Sequence, residues 1–195
     1  TSNRSMIGGM IGNNSCGLHS LVYGSMRDHT HSVRAVLSDA SLCEFGPLNR
    51  EEFQEKIEKE GLEGDIYRGL HAMLDDPANQ QEIVEGFPDP AVVRRNTGYA
   101  LDELLETPPY RNSAARHADF NLCKLLAGSE GTLLFITEAK LKLVPQPPSH
   151  KALVPIHFNS VMEAIRGNLI ALKHAPTAVE LMDKTILDCT RDNLT

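Results

Sequence analysis

The feature that most constrains this chain is its opening, Ile7-Gly8-Gly9-Met10-Ile11-Gly12-Asn13-Asn14-Ser15-Cys16-Gly17, with four glycines and two asparagines in eleven residues. Such a segment points to a backbone that needs positive φ angles and room for something to approach it closely. The asparagines add to this, because a short amide side chain tolerates left-handed backbone and can also hydrogen-bond a ligand. Bare main-chain amides with little side-chain cover are one way in which proteins hold phosphates or a flat cofactor. The theme returns at Leu126-Ala127-Gly128-Ser129-Glu130-Gly131-Thr132. Two such loops suggest one bound ligand touched from two sides. Each alone reads equally well as a tight turn packed against a strand.

Neither loop carries a common nucleotide signature. No Gly-Lys-Ser/Thr follows the first glycines, and they do not give Gly-x-Gly-x-x-Gly ahead of a helix. The net charge of −7, from 19 basic and 26 acidic residues, argues against a nucleic-acid partner, whose phosphates are normally met by Lys/Arg patches. An anionic cofactor stays open, since amides and one or two arginines act locally. At 195 residues the chain is long enough to bury a core, and its 41% apolar and 23% charged residues are those of an ordinary globular protein. No apolar run reaches the roughly 18 residues of a membrane span, and no secretion signal is evident. Cys16, Cys43, Cys123 and Cys189 form no Cys-x-x-Cys pair and read as free thiols. His29 and His31 would share one face of a strand, but no third metal ligand has an evident position, so no metal site is expected.

Alternation over His31–Ser38 and again over Leu42–Gly46 predicts a β-hairpin with one polar face. Phe53 with Ile57, and Ile66 with Leu70 and Leu74, have the four-residue spacing of amphipathic helices, expected to break at Gly61 and Gly64 and to end near Pro77. Gln80–Pro90 reads as a short helix and turn, and Glu106–Asp119 as a surface excursion. Leu133–Val144 is the strongest strand signal, closed by Pro145-Gln146-Pro147-Pro148. Beyond it, strands are expected at Leu153–Phe158 and Thr177–Met182, and helices at Val161–Leu172 and from Asp183. Arg94-Arg95-Asn96-Thr97-Gly98-Tyr99 sets two arginines before a turn. They are either solvated surface charge or a guanidinium fork for a carboxylate, helped by the Thr97 hydroxyl.

With these residues laid out, the chain resembles the FAD-binding domain of the vanillyl-alcohol oxidase and p-cresol methylhydroxylase superfamily, within it the D-lactate, glycolate and D-2-hydroxyglutarate dehydrogenase branch. The resemblance is carried by Gly8 to Gly17, by Tyr23-Gly24 with Asp28, by Asn96-Thr97-Gly98-Tyr99, and by Gly128 to Thr132 with Ile136-Thr137-Glu138-Ala139. It covers roughly residues 5 to 145, and the tail from Leu153 is similar to the start of that branch's cap domain.

The fold so implied is α+β: an antiparallel sheet with flanking helices over residues 1–148, the second lobe of an FAD domain, then the beginning of a ferredoxin-like cap over 149–195. The implied cofactor is FAD. The residues implied to line it are Gly8, Gly9, Gly12, Asn13, Asn14, Ser15, Gly17, Tyr23, Gly24 and Asp28 on one side, with Gly128, Ser129, Glu130, Gly131, Thr132 and Ile136 on the other. Arg94 or Arg95, with Thr97, would meet a substrate carboxylate. The implied reaction is hydride transfer from a D-2-hydroxy acid to the flavin, in a cytoplasmic enzyme, soluble or peripheral to the inner face of the membrane.

Three departures accompany the resemblance. The other phosphate-cradling loop of that family is missing from this sequence. The histidines and acid of the branch that bind metal or take the hydroxyl proton lie beyond Thr195, so no catalytic base is named. The long stretch Asp102–Asn121 resembles the larger members, often fused to an iron–sulfur module or passing electrons to another acceptor. The chain is therefore expected to be a fragment, inactive alone. An FAD-dependent reductase of the cell-wall precursor type, or a non-catalytic module of the same fold, are the alternatives.

Overall fold

The computed structural model describes residues 3–92, 94–96, 98–111 and 117–191. It divides into two compact units, Thr1–Cys16 with Gly24–Leu143, and Gly17–Tyr23 with Val144–Thr195.

The first unit begins with two short helices, α1 (Ile7–Gly12) and α3 (Met26–His29), while α2 (Ser20–Tyr23) falls in the second unit. The hairpin follows as β1 (Thr30–Val36) and β2 (Leu42–Phe45), antiparallel, with Val33 opposite Phe45 and Ala35 opposite Cys43. These four residues are buried, whereas Arg34 pairs with Glu44 and Glu138 on the exposed face, so the alternation seen in the sequence is the inside–outside pattern of a one-sided sheet. A third strand, β5 (Phe135–Leu141), joins the other edge of β1 antiparallel, giving the order β2-β1-β5. A small second ladder pairs β3 (Pro47–Leu48) with β4 (Phe120–Asn121).

Helices α4 (Arg50–Glu58), α5 (Leu62–Asp75), α6 (Pro77–Gly86), α7 (Leu101–Leu105) and α8 (Cys123–Leu126) complete the unit. Asn49 caps α4 in a capping box with Glu52, and Asp76 caps α6, whose Pro77 occupies the first turn. The core is one cluster in which Phe53, Tyr67, Phe120 and Phe45 meet, with Phe53 and Phe120 ring centres 4.6 Å apart. The stretch 106–119, expected as a surface excursion, is anchored at its start: Thr107 is fully buried and Tyr110 packs on Phe53. Residues 112–116 lie outside the described residues.

Gly61 precedes α5 at φ +87°, as expected of a break, but Gly64 lies inside the helix. The reason is steric. A Cβ at Gly64 would overlap the Lys59 carbonyl, so glycine lets the incoming chain cross the first turn of α5. Beside it, Glu63 is buried and bridges Lys56 and Lys59. Burial pushes its carboxyl up, yet the hydrogen bonds from the two ammonium groups outweigh that and leave it below the usual carboxylate range.

The second unit holds α2, α9 (Val161–Ala171), a short 3-10 turn (Leu172–His174) and α10 (Lys184–Thr190), capped by Ser160 and Asp183. Gly167 leaves space for the Phe158 ring against α9. The strands expected at 153–158 and 177–182 do not form. Among the described residues no neighbouring strand satisfies their backbone, and a lone β-segment is not stable. Leu153 and Val154 are correspondingly exposed.

Gly64→Ala should lower stability to urea by more than about 1 kcal/mol despite alanine's higher helix propensity. Gly69→Ala in the same helix, where a Cβ meets no atom within 4 Å, should raise it by roughly 0.5–1 kcal/mol. Equal and positive effects at both sites would contradict the crossing described.

Candidate functional site

The opening segment is not the loop its composition suggests. Residues 7–12 wind into the single turn-and-a-half of α1, so Gly8, Gly9 and Gly12 have helical backbone, and Asn14 alone in this stretch has a positive φ, +46°. The left-handed conformations expected of the glycines are found instead in the second loop, at Gly128 (φ +102°), Glu130 (+52°) and Gly131 (+74°). Composition identified the segment as unusual; helix winding satisfied its backbone in place of a loop.

The two segments meet. The last carbonyls of a helix have no partner within it; in α1 those of Gly9, Met10 and Ile11 accept from the N–H groups of Asn13, Ser15 and Asn14, and the second loop adds Gly128 N–H to Ile11 O and Glu130 N–H to Gly12 O, both at 3.0 Å. Between them lies an open cleft of about 380 Å³, walled by Gly8, Gly9, Gly12, Asn13, Glu130 and Gly131. That volume falls within the roughly 300–1,000 Å³ of ordinary ligand sites. Gly8 and Gly9 are exposed, and a Cβ added at either would meet no atom within 4 Å. Packing among the described residues therefore gives no reason for glycine there, although each helical glycine costs about 0.5–1 kcal/mol relative to alanine. Asn14, next along the chain, is buried. Its Oδ1 accepts from the Arg27 backbone N–H at 2.8 Å, while its Nδ2 has no hydrogen-bond partner among the described residues. A bare glycine surface and a leftover buried donor fit a ligand rich in oxygen and flat enough to lie on backbone.

The other expected residues sort by what they touch. Ser15 accepts from Asn13 Nδ2 at 3.1 Å. Gly24 has φ +74°, and a Cβ there would come within 2.5 Å of Asp28 Oδ2, which itself accepts from Ser25 N–H and closes a capping box on α3. Ser129 is buried and its carbonyl accepts from the Thr132 hydroxyl at 2.6 Å. Ile136 sits in β5 opposite Ala35 and packs against the core. Gly17 and Tyr23 belong to the second unit. Thr97 lies outside the described residues.

Arg94 and Arg95 differ. Arg94 is exposed, whereas the Arg95 guanidinium is mostly buried and bridges Asp102 and Glu103, with His117 Nε2 2.9 Å from the other oxygen of Glu103. Asn96 and Tyr99 reach across to both loops: Asn96 Nδ2 donates to Asn13 O at 2.6 Å, and Tyr99 Oη lies 2.5 Å from Thr132 Oγ1. Among the described residues no group of three or more His, Cys, Asp or Glu is arranged to hold a metal, and no helix is long and apolar enough to cross a membrane. Cys16, Cys43 and Cys123 are free thiols, and burial pushes the Cys123 thiol up to about 12.

Sequence reading overlooked Arg27, which is buried and donates to main-chain carbonyls of three residues. Its position between Gly24 and Asp28, both singled out, was the available signal.

Residues 1–46 match the FAD binding domain family. The chain is 32% identical over 194 residues to the D-2-hydroxyglutarate dehydrogenase of Escherichia coli, aligning all of this chain with 18% of that protein. It is 25% identical to the D-lactate dehydrogenase of Archaeoglobus fulgidus over 93% of this chain and 27% of that one. It is also 39% identical over 71 residues to the glycolate oxidase subunit GlcD of Bacillus subtilis, over 36% of this chain and 15% of the other. The chain thus spans a minor part of the relatives it matches. These likenesses support the FAD-linked oxidase branch and, with it, FAD as the cofactor.

If Gly128 is glycine because of both its φ and the Gly98 carbonyl, which a Cβ would approach to 2.8 Å, then Gly128→Ala should destabilise by about 2–3 kcal/mol. Gly131→Ala, strained in φ but open in space, should cost only about 1 kcal/mol. Chemical denaturation of the two variants compares them, and a larger loss at Gly131 would contradict the assignment.

Proposed function

We propose that this chain is the flavin-facing portion of an FAD-dependent oxidoreductase acting on a D-2-hydroxy acid of the D-lactate, glycolate or D-2-hydroxyglutarate class. The observation that carries the reading is the cleft in which two glycine-bearing segments present main chain to the same space, with Gly8 and Gly9 left bare for no reason of internal packing. The names of the relatives supply the substrate class. When bound, FAD would supply the redox chemistry, accepting at N5 a hydride from the carbon that bears the hydroxyl.

The chain's own residues would bind and orient. The helical face of Gly8, Gly9 and Gly12 would carry the cofactor on one side, with Asn13 at its edge, and Glu130 and Gly131 would close the other. Arg94 is the better candidate for the substrate carboxylate, because Arg95 is already committed to Asp102 and Glu103. Residues 1–148 would form part of the FAD domain and 149–195 the opening of a cap. Electrons would leave for a separate acceptor or an iron–sulfur module, and the enzyme would be cytoplasmic, with peripheral attachment to the inner membrane face part of the same proposal. A chain spanning so small a share of its relatives is proposed to be catalytically silent alone and to bind FAD weakly or not at all; stoichiometric yellow flavin on the purified 195 residues would overturn that.

The decisive experiment uses opposite signs. In the full-length protein, Gly8→Ala and Gly9→Ala should leave the apoprotein as stable or more stable, by up to about 1 kcal/mol each. The same variants should weaken FAD binding about tenfold or more, because a methyl group then stands where the cofactor lies. Wild-type FAD affinity in both would remove these glycines from the site.

Kinetics test the arginines. Arg94→Met should raise KM for the hydroxy acid while flavin stays bound. Arg95→Met should chiefly lower thermal stability, by roughly 3 kcal/mol, as two carboxylates lose their partner. An unchanged KM in Arg94→Met would exclude it from substrate binding.

A further inference from the structure

Arg27 is buried at 4% exposure, and its guanidinium is spent on main chain. Nε donates to Lys124 O at 2.8 Å, and Nη2 donates to Ala127 O at 2.7 Å and to Gly98 O at 3.1 Å. Lys124 and Ala127 are the last turn and the cap of α8, so the cation sits where a helix end leaves carbonyls unpartnered and its dipole is negative. The backbone N–H of the same residue donates to Asn14 Oδ1. One residue thus holds three segments: the end of the α1 region, the turn at 98, and the entry to the second loop. A Cβ at Gly128 would lie 3.0 Å from Arg27 Nη2 and 2.8 Å from Gly98 O, so glycine at 128 is what admits this junction.

The environment fits a cation kept in place for its hydrogen bonds. Burial lowers the guanidinium's affinity for its proton, and the carboxylates Glu103, Asp102 and Asp28 work against that, while Arg95 adds to it. A guanidinium remains charged in any case. A lysine would offer a single point of donation and could not span carbonyls at 98, 124 and 127 with the same planar fork.

We propose that Arg27 is a positioning residue for both ligands of the site: its fork sets the approach of the second loop to α1, and so the cleft for FAD, and ties that loop to the turn at Gly98, close in sequence to the Arg94 proposed above for the substrate carboxylate. The turn is held from two further sides, by Asn96 on Asn13 O and by Tyr99 on Thr132, so a shift at Gly98 reaches both walls of the cleft. This inference rests on the FAD reading above.

The test compares wild type, Arg27→Lys and Arg27→Met as full-length protein, well below their melting temperatures. FAD titration followed by flavin fluorescence gives Kd, and visible circular dichroism of the bound flavin reports its setting. Arg27→Met should raise Kd about tenfold or more and change the flavin dichroism, with a raised KM for the hydroxy acid, since bonds from a charged donor are lost. Arg27→Lys should fall between and carries the test if Arg27→Met does not fold. Lower thermal stability with wild-type Kd, dichroism and KM would show a merely structural residue and overturn the proposal. Failure of the wild-type protein to bind FAD would instead sink the cofactor reading itself, which separates the two.

Discussion

Everything at this site depends on how α1 ends. A six-residue helix with three glycines is weak by itself, and its final carbonyls need donors. Asn13, Asn14 and Ser15 supply some of them, and Gly128 and Glu130 bond Ile11 O and Gly12 O from a loop more than a hundred residues away in sequence; that loop in turn can only run there because Gly128 and Gly131 take backbone angles closed to most residues. Within α1, Ile11 is fully buried. The cleft follows from these contacts.

The glycines of this chain answer to different demands, and the distinction bears on the site. Gly24 and Gly128 answer to a positive φ and a crowded neighbour together. Gly64 and Gly167 answer to crowding alone, by the Lys59 carbonyl and the Phe158 ring. Gly8 and Gly9 answer to neither. Gly69 has the same freedom in α5, so open space alone marks no ligand; Gly8 and Gly9 differ in walling the cleft that Glu130 and Gly131 close. The matches to FAD-linked dehydrogenases and oxidases support FAD as the cofactor.

Much of this was legible in the sequence where local chemistry decides the structure. The hairpin was readable because Val33, Ala35, Cys43 and Phe45 alternate with polar residues, and α4 because Phe53 and Ile57 repeat at helical spacing. That both glycine segments stand out was legible as composition, and the structure places them side by side along one cleft. What local pattern does not hold is what a distant partner supplies. The winding of residues 7–12, the glycine at 64 and the role of Arg27 each depend on an atom brought from elsewhere: the amides of 128 and 130, the carbonyl of 59, and those of 98, 124 and 127. The strands expected at 153–158 and 177–182 failed for the complementary reason, since apolar alternation makes a strand only when a neighbour completes its ladder.

Amide hydrogen exchange measured on the full-length protein with and without FAD bears most directly on the claim that one flavin nucleotide lies between these segments. Peptides covering 7–14 and 127–132 should slow together on cofactor addition, over the same range of FAD concentration. Bound FAD with protection confined to one of the two, or to neither, would contradict the account.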